Sequence, residues 1–138
     1  KGNLFFSVFF VLNQKKINFK HFTILNAYLI RQIISKEFKS KIKIKWQNDL
    51  LFSKKKFCGI LQETITYGKK KFLIIGMGIN TNFDPNIKSF SSTCLKNIIN
   101  RNINNNKLLY IIKKKYEKFL IKTQKYSYLE LIKYTNKA

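Results

Sequence analysis

Apolar and polar positions alternate along this chain with two different periods. Residues 4–12, LFFSVFFVL, form an apolar run rich in Phe and Val. The run is too short for a helix of its own and predicts a strand buried on both faces. Polar NQKKIN follows as a loop. Between residues 20 and 38, Phe22, Leu25, Leu29 and Ile33 recur at spacings of three and four, and Ile30 and Ile34 widen the stripe. That is the helical period, and it predicts the main packing helix. Residues 41–46, KIKIKW, alternate with period two and predict a strand whose lysines lie on a wet face.

Two further strands are predicted over 57–67 and 71–79. The first is entered through the basic SKKK stretch, and the two are joined through Tyr67-Gly68-Lys69-Lys70 into an antiparallel hairpin. After Asp84-Pro85, which does not continue a strand comfortably, the chain reads as irregular up to 107. From 107 to 121, Leu108, Ile111, Ile112, Tyr116, Phe119 and Leu120 make a second helical stripe, with Lys113, Lys114 and Lys115 on its wet face. A short helix is predicted over 128–134, and the Asn-rich 97–106 is a loop. Strands followed by helices, with hairpins in place of strict alternation, give an α+β fold: a mixed, largely antiparallel sheet covered by helices.

Composition narrows this further. Hydrophobic residues make up 45% and aromatics 15% of 138 residues, which excludes a disordered chain despite a net charge of +22. The charge alone would suggest a nucleic-acid binder. Of the 28 basic residues, however, only Arg31 and Arg101 are arginines, and the lysines spread along the whole chain beside abundant Asn, Ile and Phe. No specific DNA site is expected, although the positive field attracts nucleotides and acidic proteins. Two cysteines, a single His21 and no signal peptide point to a reduced, cytoplasmic protein without a His-rich metal site. The run at 4–12 is about half the length of a membrane span. The start at Lys1-Gly2 and the end at Lys137-Ala138 suggest a piece of something longer.

Three segments carry candidate chemistry. GMGIN at 76–80 follows an apolar strand but is not a dinucleotide fingerprint, because its third glycine would fall at Thr81 and no helix pattern follows. It leaves either a strand weakened for a bulge or a place where backbone approaches a flat ligand. In KWQND at 45–49, Asn48-Asp49 reads either as a turn behind a core Trp46 or as a carboxylate placed to hold Mg²⁺ near a phosphate. Lys56, last of the Lys54-Lys55-Lys56 triplet, precedes Phe57-Cys58-Gly59. It is either the solvated end of a hairpin or an ammonium directed into a pocket floored by Gly59, where it could bind a carboxylate and a phosphate together.

Taken together, these segments resemble the biotin protein ligase family, whose catalytic domain carries KWPND, KxxG, GIL-hydrophobic-Glu and GIGIN in that order. This chain has KWQND at 45–49, KFCG at 56–59, GILQE at 59–63 and GMGIN at 76–80. GNLFFSVFF at 2–10 and SSTCLK at 91–96 also resemble family segments, so the likeness spans residues 2–96. The resemblance implies the class II synthetase-like fold of biotin and lipoate ligases, with residues 1–138 as the central and C-terminal part of a catalytic domain truncated at both ends. It implies ATP and Mg²⁺ as cofactors, biotin as substrate, biotinyl-5′-AMP as intermediate, and as acceptor a lysine on the carboxyl-carrier protein of acetyl-CoA carboxylase or a related carboxylase. A homodimer stays open, and no membrane partner is implied.

Lys56 matches the cation that would bridge the biotin carboxylate and the α-phosphate. Asn48, Asp49 and Asn80 match positions at the phosphates and metal. Gly59, Ile60, Gly76 and Gly78 match backbone positions lining biotin and the adenylate, and Lys45 and Trp46 shape the site from behind. Gln47 stands where the family has proline, and Cys58 where it commonly has Ala or Gly. The glycine- and arginine-rich loop, the small C-terminal domain and an N-terminal helix-turn-helix have no counterpart in the sequence. Two rival readings remain: a lipoate or octanoate ligase of the same fold, and a basic nucleic-acid-binding remnant without ligase activity.

Overall fold

In the computed structural model, which describes residues 2–12, 16–46 and 48–135, both predicted helical stripes become helices that extend slightly beyond their stripes. The readings of Gln47 and of the two chain ends at Lys1 and Lys137-Ala138 lie outside the described residues. Helix α1 (Phe19–Phe38) starts at a capping box: the Asn18 side chain accepts from His21 N at 3.0 Å, and the His21 ring accepts from Asn18 N at 3.4 Å. It ends at Lys39 in the left-handed conformation. Its buried face carries Phe22, Leu25, Leu29, Ile30, Ile33 and Ile34, the stripe read from the sequence.

Strands β1 (Leu4–Val11), β2 (Lys43–Lys45), β3 (Asp49–Phe52), β4 (Lys55–Tyr67) and β5 (Lys70–Ile79) form one sheet in the order β1-β5-β4-β3-β2. All strand pairings are antiparallel. The parallel component of the expected mixed sheet is reduced to an isolated bridge between Lys56 and Ser92. Gly68, with φ 58°, opens the two-residue loop between β4 and β5, where a hairpin that follows the strand twist needs a positive φ. Between β3 and β4, Ser53 and Lys54 carry φ 48° and 66°. A tight hairpin is made there without glycine.

Helices α2 (Leu95–Ile99), α3 (Asn105–Thr123) and α4 (Tyr128–Thr135) follow the sheet. Helix α2 lies in the stretch expected to be irregular. With five residues and only Leu95 buried, it has no apolar period to read. Helices α3 and α4 pack on α1, where Tyr128 stacks on His21 at 4.2 Å between ring centroids. Beneath the sheet a polar network links three elements: the Asn26 amide donates to Gln62 Oε1 at 2.8 Å and accepts from the Tyr116 hydroxyl at 3.0 Å. Among the described residues, no helix is long and apolar enough to cross a membrane.

The expectation for β1 needs correction. Its residues alternate between buried or partly buried and exposed, and Phe5 and Phe9 are 74% and 71% exposed. The helices cover one face of the sheet only, so an all-apolar strand here has an open face as well as a covered one.

Candidate active site

Register decides what stands on the open face. Lys45 pairs with Asp49, Asp49 with Gly59, Gly59 with Gly78, and Gly78 with Phe5. Directly paired residues share a face, so one row of open-face positions crosses all five strands. In the next row, Ser7 and Leu61 flank Gly76. Three glycines thus remove side chains from the middle of the sheet. The result is an open trough of about 630 Å³ floored by Gly59, Gly76 and Gly78, with Phe5 and Leu61 on its walls. A Cβ on Gly78 would lie 3.1 Å from the Phe5 ring, so the close lie of that ring on the strand depends on the glycine.

Lys56 reaches this face through a break in the strand pattern. Strict alternation would put residue 56 on the side opposite Gly59, beneath the sheet with Cys58 and Ile60. The register instead shifts between Leu50 and Leu51: Leu50 faces Cys58 while Leu51 faces Lys56. Phe57 is therefore an extra residue, and both Phe57 and Cys58 are buried. A bulge of this kind re-aims a side chain. Here it brings the Lys56 ammonium 2.8 Å from Asp49 Oδ1 and 3.4 Å from where a Cβ on Gly59 would stand. The Phe90 ring, 5.1 Å from the same nitrogen, completes the surroundings. The irregular segment 84–93 runs past this point, with Lys56 N donating to Ser91 O at 2.9 Å and Thr93 N donating to Lys56 O at 2.9 Å.

The remaining residues singled out in the sequence divide between site and scaffold. Asn48 lines the trough, and its amide donates to Ile60 O at 2.7 Å while Ile60 N donates to Asn48 O at 2.9 Å. It therefore latches the start of β3 to β4. Ile60 turns its side chain into the core, so only its backbone faces the trough. Asn80 lies past the end of β5, donates to Thr93 O at 3.1 Å, and accepts from Asn3. It joins the two segments that flank the trough. Trp46, 67% exposed, is not brought to the trough; it lines a separate hollow beside Tyr28, Leu129 and Ile132.

Burial pushes the Cys58 thiol up to about 12; the Asp49 carboxylate adds to the rise and the Lys56 ammonium opposes it. The thiol lies under the site as a neutral filler and has no role as a nucleophile. Among the described residues, no group of three His, Cys, Asp or Glu side chains gathers as a metal site. Among the described residues that line the trough, Asp49 is the single carboxylate, and it is already paired with Lys56. Such a donor set fits magnesium only as the counter-ion of a phosphate ligand, which supplies most of the oxygens.

The sequence did not single out Phe5, Ser7 or Phe90. Ser7 is the polar residue of an otherwise apolar strand, a signal that becomes readable once that strand is known to have an open face. Phe90 is 34 positions from Lys56 and had no local signal.

Residues 1–80 match the Biotin/lipoate A/B protein ligase family, and the chain belongs to it. A biotin protein ligase from Aquifex aeolicus, solved in complex with biotin and ATP, is 27% identical with a TM-score of 0.79, over 98% of this chain and 57% of that one. A biotin protein ligase from Leishmania major, in complex with biotinyl-5-AMP, shares the fold at 19% identity and a TM-score of 0.74, over 99% and 61%. A P. falciparum protein in complex with lipoate shares it at 21% and 0.66, over 88% and 35%. The chain thus spans about 60% of the length of the Aquifex structures. Curated protein sequences give no match.

Proposed function

We propose that the full-length protein activates biotin with ATP to biotinyl-5′-AMP and pyrophosphate, then transfers biotin to a lysine of a carboxyl-carrier protein in the cytoplasm. One observation carries this reading: Lys56 leans over Gly59 at the head of a glycine-floored trough, held by Asp49 at 2.8 Å. The first step must bring two anions together, a carboxylate and an α-phosphate. A fixed ammonium between them lowers the barrier by positioning and by neutralising charge, without moving a proton. The trough accepts a flat ring system because glycines leave its floor bare, while Phe5 and Leu61 supply apolar contact. Asn48 and Asn80 hold the strand ends in place, and Lys45 adds positive charge beside Asp49. Magnesium enters with ATP, bound by phosphate oxygens and by Asp49.

Biotin is preferred over lipoate because KWQND and GMGIN fit the biotin branch and because the Aquifex protein solved with biotin and ATP is the more similar. The test is to supply full-length protein with radiolabelled ATP and either biotin or lipoate, and to follow adenylate formation. Biotinyl-AMP is expected, and Lys56→Ala should lower its rate by about 10²–10³-fold, the usual cost of losing one charge-stabilising donor. Lipoyl-AMP alone would move the protein to the lipoate branch, and an unchanged rate for Lys56→Ala would remove Lys56 from its role.

A further inference from the structure

The backbone of Lys56 is held from outside the sheet. On one side it pairs with Leu51 of β3, but β5 ends at Ile79, opposite Cys58, and does not reach it on the other. Residues 91–93 take that place: Lys56 forms a parallel bridge with Ser92, donates to Ser91 O and accepts from Thr93 N. That segment is tied in turn to the exit of β5. The Asn80 amide donates to Thr93 O at 3.1 Å, Leu95 N to Asn80 O at 2.8 Å, and Lys96 N to Thr81 O at 2.7 Å. The exit of β5 is fastened by Asn3, at the start of β1. Its oxygen accepts from Asn82 N at 3.2 Å and Phe83 N at 2.9 Å, and its nitrogen donates to Phe83 O at 2.9 Å and to Asn80 Oδ1 at 3.4 Å. All four hydrogen-bonding positions of one side-chain amide are used. The two backbone N–H groups fix which end of Asn3 is oxygen, so its nitrogen faces Asn80. Asn80 must then turn its oxygen to Asn3 and its nitrogen to Thr93.

We propose that Asn3 is a positioning residue for adenylation: it orients the Asn80 amide and, through Thr93, holds the backbone of Lys56 so that the ammonium stays over Gly59. The inference rests on the adenylation reading and adds a residue outside the lining of the trough. Each link of the relay is a hydrogen bond between a side-chain amide and backbone or between two backbones, so the position of Lys56 depends on the start of β1, a strand that does not touch it in the sheet. The Phe90 ring over the ammonium stands on the same tied segment and moves with it. Loosening the relay leaves every group of the trough present but blurs where the ammonium lies. A small misplacement of that kind acts on the step in which two anions meet more than on the binding of one acid.

The test combines adenylate formation by the full-length protein, with biotin and with lipoate, and hydrogen exchange of its backbone amides. Asn3→Ala removes all four bonds. Asn3→Asp keeps the bonds from Asn82 N and Phe83 N, removes both donors and sets a carboxylate oxygen against Phe83 O and Asn80 Oδ1. Tyr116→Phe, which loses one hydrogen bond beneath the sheet, is the control for a loss of stability alone. Both Asn3 variants should lower kcat by about ten- to hundredfold, with KM for the acid kept within about threefold. They should also speed exchange at the amides of Lys56 and Thr93 by roughly tenfold or more. The control should leave kcat and those two amides unchanged. Wild-type kcat in both Asn3 variants, or an equal loss of kcat in Tyr116→Phe, would overturn the proposal. So would a lowered kcat with exchange at Lys56 and Thr93 unaltered, because the effect would then bypass the relay. An Asn3 effect seen with lipoate and not biotin would keep the relay and change the acid. A wild type that forms no adenylate from either acid would instead overturn the adenylation reading, and the proposal with it.

Discussion

On β5, Leu73, Ile75, Met77 and Ile79 point into the core, and all are buried. Between them, Phe72, Ile74, Gly76 and Gly78 point the other way. The same backbone therefore builds two surfaces under opposite demands. Beneath the sheet, side chains such as Ile30, Ile34, Ile112 and Phe119 pack into the core, because a void there forfeits packing. Above it, the positions nearest Lys56 are emptied to glycine, because the open face has to receive something else. The glycines weaken the strand by roughly 0.5–1 kcal/mol each relative to alanine. A face built for stability alone would not keep two of them on adjacent open-face positions.

Neighbouring residues on β5 can separate the two demands. Ile75→Ala should leave a cavity beneath the sheet and lower stability by about 2–5 kcal/mol, read from urea denaturation, with biotin affinity at low denaturant nearly unchanged. Gly76→Val should do the reverse. A Cβ at Gly76 would meet only Leu61 O at 3.9 Å and Ser7 Oγ at 4.0 Å, ordinary contacts that the fold can hold. Stability should hold or rise slightly, while the added branches enter the trough and weaken biotin binding by about ten- to hundredfold, the cost of overfilling a packed site. A Gly76→Val protein that binds biotin normally would break the assignment of this face as the ligand site.

Beneath the sheet, the comparison can be sharpened with a polar change. Tyr116→Phe deletes the donor to Asn26 Oδ1 without changing shape, leaving a buried acceptor unpaired. A loss of about 1–2 kcal/mol is expected, at the lower end for an unsatisfied polar group because Asn26 keeps its bond to Gln62. The measurement is again the denaturation midpoint; no change would show that the Asn26–Gln62–Tyr116 network contributes nothing to the packing of α3.

The covered face was far more legible in the sequence than the open one. Helices α1 and α3 each bury one stripe against a uniform apolar layer, so residues such as Leu25, Leu29, Ile112 and Phe119 announce themselves at spacings of three and four. Gly68 marked the β4–β5 hairpin by the same local logic. The family motifs marked Lys56, Asp49 and the glycines, but only as positions. Their convergence depends on strand register and on the extra residue Phe57, neither of which has a local signature. The open face of β1 was misread because Phe and Val look alike whether they face a core or a ligand trough. The buried Asn26 and half-buried Gln62 were hidden for the converse reason: polar residues in an apolar stripe read as interruptions until their partner, 36 positions away, is known.

The smallest predicted effect concerns the turn between β3 and β4. Two consecutive non-glycine residues, Ser53 and Lys54, hold positive φ there, a conformation that brings a Cβ close to carbonyl oxygen and costs a non-glycine residue energy. Hairpins of this length ordinarily use Asn-Gly or Asp-Gly. Lys54→Gly should therefore raise stability, by about 0.5–1 kcal/mol once the greater freedom of glycine in the unfolded chain is subtracted. A protein whose urea denaturation midpoint rises would show that Lys54 is kept against the preference of its own turn. One that becomes less stable would mean that the Lys54 side chain supports the fold.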